Sequence, residues 1–462
     1  MSGGIEIARK ALQANAYVLD TIGNNIANAN TPGYSRQKVS LKPSESISIA
    51  VNNVSKPFAS LGTGVSVYNV ERMRNEFFDA QMRNVLGEHG SWTQQSVAYS
   101  TIESIFNEPS DFGVSAKLEA FFDSWHAVQQ DPSDSGARVS VISTADQLAK
   151  SLQTTRSSLH NLQRNLNEDV PLKIKEANSL ISRLSDLNTQ IVKAGASGSS
   201  TSLKDERTRL TNDLVQLIDA DYYEDSRGVA TIAVNGVILL SESESSFLEA
   251  KMTTESGEAK YGIFLEDTLR GVDIAGGEIY GLMQARDEGI VGFIDKLNQI
   301  ASVLIEKVNQ IHRAGYDLQG NPGGNLFEGT SANDIKVSDF ITRNGSLIAA
   351  SSTISNVEGN GNNALAISQL RDQGVFDSGT TSISKFYQNL ISNLGVNTLA
   401  ATNYLQTNKD IISQLNNQIA EVSGVSIDEE MADMVRFQHA YQASAKYLSV
   451  IQQVLDTLIN MV

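Results

Sequence analysis

Apolar residues recur every seven positions at both ends of this chain. Ile5, Leu12, Leu19 and Ile26 form one row near the N-terminus. Met434, Tyr441, Leu448, Leu455 and Val462 form another near the C-terminus, with Phe437, Ser444, Ile451 and Leu458 at an offset of three. A seven-residue repeat lays one apolar stripe along a helix, and that stripe needs a second helix to cover it. Neither end has such a helix beside it in sequence, so the simplest partner for each is the other. A chain that closes on its own termini and leaves both stripes near its ends is built to pack into something larger.

Inside these ends the pattern alternates between helix and strand. A helix over 4–29 stops at Thr31-Pro32-Gly33. Residues 46–51 and 65–70 alternate with period two, with Gly62 and Gly64 in the connection, which predicts a long two-stranded hairpin. Helices follow over 75–106 and 113–130, the second with Leu118, Phe121, Phe122 and Trp125 on one face. A long helical stretch covers 137–194. Leu152, Leu159 and Leu166 keep one heptad; Val170, Ala177, Leu184 and Ile191 keep another, shifted by four residues beside Pro171. A four-residue stutter next to a proline predicts a bend there.

After a flexible link at 195–201 and a helix over 203–218, the period switches. Residues 219–275 are rich in β-formers, with turns at 226–228 and 255–257, and Asn235-Gly236 predicts a two-residue hairpin turn. Helix returns over 277–313 with Ile290, Leu297, Leu304 and Ile311 in register. Residues 315–380 are irregular and rich in Gly, Asn and Ser. A helix over 384–422 carries Leu405, Ile412 and Ile419, and Ser423-Gly424 separates it from the last helix. Ser426-Ile427-Asp428-Glu429 reads as a capping box, with the Ser426 hydroxyl and the Glu429 side chain each satisfying the other's backbone N–H.

The expected fold is therefore mainly α with a β insert (α+β), elongated and multi-domain. A terminal coiled coil comes from 1–40 and 424–462. A helical body comes from 41–216 and 277–423, with a β-hairpin near 46–70. A β-rich outer domain is inserted at 217–276.

Composition narrows the function. The chain has 462 residues, 40% of them hydrophobic, and a net charge of −17. It lacks the cationic footprint that nucleic acid or an anionic membrane requires. With no cysteine, disulfides, thiolate metal sites and cysteine nucleophiles are excluded. The first ten residues lack the apolar core of a secretory signal. No run approaches the roughly 18 apolar residues of a membrane span. If the chain leaves the cell, a route other than a cleaved signal is expected.

No constellation for catalysis emerges. His89, His126, His160, His312 and His439 show no metal-binding spacing, and there is no phosphate-binding loop or nucleophile elbow. Asp317, Gln319, Asn321, Asn325 and Glu328 match a calcium-loop template in part. Pro322 stands where that template needs glycine, so a glycine-rich turn is the better reading. The expectation is a non-enzymatic protein without metal or cofactor.

Two long motifs carry a resemblance. The tract 22–37, with Asn24-Asn25-Ile26-Ala27-Asn28 and Gly33-Tyr34-Ser35-Arg36-Gln37, resembles the N-terminal signature of bacterial flagellar axial proteins. These are the rod, hook and hook-associated proteins, and the Gly-Tyr-Ser-Arg-Gln ending is closest to the hook-associated members. The run 423–446, with Ser426-Ile427-Asp428-Glu429-Glu430-Met431 and Arg436-Phe437-Gln438-His439-Ala440-Tyr441, is similar to the C-terminal signature of the same family. Internal segments agree, among them Asp205-Glu206-Arg207 and His312-Arg313-Ala314-Gly315-Tyr316. The middle region is shorter than is common in that family.

The resemblance implies a structural junction subunit between hook and filament, packing as a ring of copies through its terminal helices. Its implied partners are other copies of itself, the hook protein, a second junction protein (hook-associated protein 3), a cytoplasmic chaperone on the C-terminal helix, and the flagellar type III export apparatus. It implies an extracellular place on the flagellum after transient residence in the cytoplasm. The alternatives are a distal rod or hook subunit and, more remotely, a secreted stalked adhesin. The residues expected to mediate assembly are Ile5, Leu12, Leu19, Ile26, Met434, Phe437, Tyr441, Leu448, Ile451, Leu455 and Leu458, with Asn25, Tyr34 and Arg36 at the signature. Asn25 is read first as part of a helix cap. Free of its partners, an amphipathic arm of this kind is expected to be disordered.

Overall fold

The heptad rows do become helices in the computed structural model, which describes residues 2–49, 59–195, 200–255 and 258–461. Helix α1 spans Ser2–Ala27, α2 Glu76–Phe106, α3 Val114–Gln130, α4 Ser135–Gly195 and α5 Thr201–Ile218. Beyond the central strands lie α6 (Gly277–Gln284), a π-helical turn (Ala285–Ile290) and α7 (Val291–Ala314). Two short helices, α8 (Asp339–Thr342) and α9 (Asn362–Gln369), sit in the irregular stretch. Then α10 (Ile383–Ser423) and α11 (Ile427–Ile459) close the chain. The ends of four expected features, at Ala50-Val51, 196–199, Ser256-Gly257 and Val462, lie outside the described residues.

The first ribbon differs from expectation. Strand β4 (Val65–Arg72) pairs antiparallel with β1 (Gln37–Pro43), not with residues 46–51. The short strands β2 (Ile47–Ile49) and β3 (Ala59–Leu61) pair separately with each other. Val39 and Leu41 are the only apolar positions alternating in β1, too brief a pattern to stand out in sequence.

Two cores divide the body, and α4 serves both. Leu148, Leu152, Leu159 and Leu166 join a core with Phe121, Trp125, Leu297 and Leu304. Val170, Ala177, Ile181 and Leu184 join a second core with Leu210, Leu214, Ile232 and Leu239. The helix is continuous through Pro171. The four-residue phase shift therefore marks the point where one helix passes from one core to the other. Asn167 fastens this joint. Its Oδ1 accepts from the Tyr261 backbone N–H at 2.8 Å and from Arg286 Nη1 at 2.7 Å.

The central strands form an antiparallel sheet, β5 (Asp221–Glu224), β6 (Ala230–Val234), β7 (Val237–Ser241) and β8 (Glu244–Ser245), in that order. A hairpin of β9 (Leu248–Glu255) and β10 (Glu258–Leu265) lies beside it. Asn235 and Gly236 turn the β6–β7 hairpin with φ of 46° and 77°, the left-handed pair a type I′ turn requires. Residues of this sheet share the second core with α4 and α5.

Helix α2 packs along both α5 and α6 through residues that lack bulk. A Cβ on Gly90 would lie 2.1 Å from the Gln216 carbonyl oxygen, and one on Gly281 would lie 2.3 Å from the Ser91 oxygen. Along α10 the deepest row is Tyr387, Leu394, Ala401 and Leu415, with Asn408 in step. The expected row of Leu405, Ile412 and Ile419 is only half-buried. Small Ala401 and polar Asn408 hide the true row from a hydrophobicity pattern.

Candidate assembly site: the paired ends and their clasp

The two ends of the chain meet. Gly4 lies against Ile451 and Tyr447, and Asn25 bonds Glu430, so α1 and α11 run antiparallel side by side. Residue 4 carries no side chain, and this lets the two helices come close at the outer end. Ile5, Leu12, Leu19 and Ile26 are half-buried in this arrangement. The deepest residues of α1 are instead Ala8, Ala14, Val18, Ile22 and Asn25. Helix α1 also lies against β1 and β4, so its innermost face is set by two neighbours and favours small side chains.

On α11, Met434, Phe437, Leu448, Ile451 and Leu455 are half-buried, while Tyr441 and Leu458 are 40% exposed. One partner covers only part of an apolar helix. Met431, Val435, Tyr447, Val450 and Val454 remain open to solvent at 44–49% exposure. A cluster of exposed apolar side chains along one helix marks a surface for association.

A polar clasp fixes the root of this helix pair. The Asn25 side chain is fully engaged although it is 1% exposed. Its Nδ2 donates to Glu430 Oε2 at 3.0 Å and to the Gln37 carbonyl at 2.9 Å. Its Oδ1 accepts from the Tyr34 hydroxyl at 2.8 Å and the Gln37 N–H at 3.0 Å. Glu430, 2% exposed, takes Arg36 Nε on its other oxygen at 2.7 Å. Arg36 also reaches Glu429 at 2.9 Å, and its backbone N–H donates to the Ser423 carbonyl at 2.8 Å. Burial, together with Asp205 and Glu430, pushes the Tyr34 hydroxyl up to about 12, so it stays protonated and can donate.

The clasp continues into the body. Ser35 is fully buried and gives both its N–H and its hydroxyl to Asp205 on α5, at 3.1 and 2.6 Å. Arg72 bonds the same carboxylate at 3.0 Å, and Arg74 reaches the Ser35 hydroxyl at 3.2 Å. Five stretches of chain are thereby tied: the end of α1, the loop after it, the end of β4 with Arg74, α5, and the start of α11.

Several expectations change here. Asn25 does not cap its own helix; Asn28 does that, donating to the Asn24 carbonyl at 3.0 Å. The capping box at α11 is half formed. Ser426 Oγ accepts from the Glu429 N–H, while the Glu429 carboxylate is drawn off by Arg36 rather than turning back. Tyr34 and Arg36 contact their own chain. Glu430, Ser35 and Asp205 were not singled out as site residues from the sequence. Their hints are membership in the two terminal motifs, an acidic first turn and a family-like Asp-Glu-Arg segment, which carry no information about a partner hundreds of residues away.

The partial calcium-loop match is accounted for locally. Asp317 is 3% exposed, and its carboxylate accepts from the N–H groups of Gln319 and Asn321 at 2.8 and 2.9 Å. It shapes a turn. His312, fully buried, is held between the Gly324 carbonyl at 2.7 Å and the Ala349 N–H at 2.9 Å.

Fold and clasp together define a class: elongated, mainly helical subunits whose two termini pair and leave an apolar helix face open. Comparison with known proteins agrees. The family described as Flagellar hook-associated protein FlgK helical domain matches residues 99–327. The Flagella basal body rod protein family matches residues 5–34, and the Flagellar basal body rod FlgEFG protein C-terminal family matches residues 416–461. The flagellar hook-associated protein 1 of Bacillus subtilis (strain 168) is 29% identical, over 99% of this chain and 97% of its own length. That of Escherichia coli (strain K12) is 22% identical over the full length of both. A solved structure, the flagellar hook junction protein FlgK from Burkholderia pseudomallei, shares the fold with a TM-score of 0.65 at 14% identity, covering 74% of this chain and all of that one. Over its whole length the chain is thus similar to the flagellar hook-associated protein 1 family.

Proposed function

We propose that this chain is a structural subunit of the bacterial flagellum that forms the junction between hook and filament. The observation that carries this reading is the terminal pair. Helices α1 and α11 lie antiparallel, a buried clasp roots them on the body, and one apolar face of α11 is left uncovered. Copies of the chain cover that face for one another in a ring. The division follows the sequence reading: residues 1–40 and 424–462 form the axial part, 41–216 and 277–423 the body, and 217–276 the outer insert. The part played is mechanical, with no catalytic step.

The ring's neighbours on this reading are the hook protein on one side and hook-associated protein 3 on the other. Before assembly the open α11 face calls for a chaperone in the cytoplasm, because an exposed apolar helix aggregates. Export then passes through the flagellar type III apparatus to the extracellular flagellum. Among the described residues no helix is long and apolar enough to cross a membrane.

The decisive experiment adds the purified chain to cells that lack this gene and carry bare hooks. Restored filament growth supports the junction role. A deletion strain that loses the hook itself points to a rod or hook subunit instead.

A further inference from the structure

Arg83 stands apart from the arginines around it. Arg72 reaches Asp205 at 3.0 Å, Arg74 is paired with Asp79, and Arg207 with Glu224. Arg83 makes no ion pair or hydrogen bond among the described residues; its guanidinium lies over the Tyr222 ring, 4.8 Å from the centroid. It is half-buried, and that burial lowers its pKa, opposed mainly by Asp79. A partly desolvated cation without an anion is an incomplete interaction. Acids are not scarce in a chain with 53 Asp and Glu, so the gap is specific to this spot.

Arg83 opens on a cavity of about 380 Å³ between the starts of α2 and β5 and one face of α5. Thr211 lines the same cavity, is 1% exposed, and its hydroxyl has no partner among the described residues. Thr211, in the wall of the same cavity, thus holds an unused neutral donor near the charged one. The acids at its edge are committed elsewhere: Asp79 to Arg74, and Glu224 to Lys204 and Arg207. Glu76, in the first turn of α2, attracts Arg83 through space without bonding it.

We propose that this cavity receives a carboxylate side chain from a neighbouring copy of this chain, gripped by Arg83 with Thr211 donating a second bond. The proposal rests on the junction reading, in which copies pack side by side. A guanidinium is suited to a carboxylate because its parallel N–H groups match the two oxygens. A copy of this chain is the occupant because the junction reading sets copies side by side and each carries 53 Asp and Glu. The site is also continuous with the clasp, since Arg72 and Arg74 line the cavity and also hold Asp205 and Ser35. A neighbour's acid bound here is therefore tied to the segment that roots the terminal helices.

The test uses the full chain in the hook-extension assay, with melting of the dilute monomer as a control for folding. Arg83→Glu reverses the charge, and Thr211→Val removes the hydroxyl at constant shape. The expected result is monomers that melt as wild type, with filament growth down about tenfold for Arg83→Glu and about threefold for Thr211→Val, in line with the loss of about 1.4 kcal/mol per decade. Restored growth when one exposed acid is changed to Lys in the Arg83→Glu background identifies the donor and supports the proposal. Wild-type growth by folded Arg83→Glu overturns it. Should that variant misfold, wild-type growth by both Arg83→Gln and Thr211→Val overturns it equally. A melting shift with inorganic sulfate, lost in Arg83→Gln while growth is unchanged, makes this a small-anion site and also overturns the neighbour. If the wild-type chain itself fails on bare hooks, the junction reading is what has failed, and this proposal falls with it.

Discussion

At the scale of single residues the clasp turns on Glu430. Its bond to Arg36 is well buried, whereas the Arg36–Glu429 pair involves a carboxylate 65% exposed and contributes less than about 0.5 kcal/mol. Glu430→Ala leaves the buried Asn25 donor and the half-buried Arg36 donor without their acceptor, so the expected cost is about 2–3 kcal/mol. Hydrogen exchange should then speed up over residues 423–437, while the body stays protected. His312 gives a second prediction. Burial holds it at about 4, below its ordinary 6.5, with Arg138 adding to the depression and Asp317 opposing it. The folded pKa is depressed, so the unfolded chain takes up the proton first. Its contribution is fully present above pH 6.5 and fades as pH falls toward 4, by up to about 1.4 kcal/mol per unit. Urea titrations across that window check the slope, and His312→Gln should flatten it. These roles escaped the sequence for a physical reason. Asn25 and Glu430 are 405 positions apart, and a polar side chain shows no periodicity that announces a distant partner.

At the scale of elements, helices, hairpin turn and heptad rows were largely legible, because each is set by spacing within one segment. What a segment packs against was not. The stutter in α4 was visible at Leu166 and Val170, yet its meaning, the passage between two cores, depended on where the sheet and α7 lie. The row along α10 is hidden from a hydrophobicity pattern because polar Asn408 sits in it. Close approach is the other hidden feature. Gly90 is an ordinary weak helix residue in sequence, but in the fold it faces the Gln216 carbonyl with no room for a methyl group. Gly90→Ala should therefore destabilise the body by about 1–3 kcal/mol through overpacking, although alanine is the better helix former by about 1 kcal/mol. Chemical denaturation gives the sign directly.

At the scale of the whole molecule the balance lies between closing the ends and joining a neighbour. The expectation of disordered arms gives way to a helix pair, since α1 covers one side of α11 and the clasp anchors both. The uncovered side is the part left for assembly. Leu448→Asp places a charge in the half-buried seam, so filament growth on hooks should fall below detection while the melting of the body is unchanged. Limited proteolysis of that variant should remove the terminal helices faster than in wild type. Unchanged growth would mean that the pairing of the two ends is not needed for assembly.

The sequence by itself determined the helices, the Asn235-Gly236 turn and the two terminal stripes, because hydrophobic periodicity and turn chemistry act over a few neighbouring residues. Only the tertiary structure decided which face of each stripe is covered, that Asn25, Arg36 and Glu430 lock together, and that Arg83 is left without an anion. Those outcomes depend on distances between segments far apart in the chain, and burial and charge pairing have no value until the fold sets those distances.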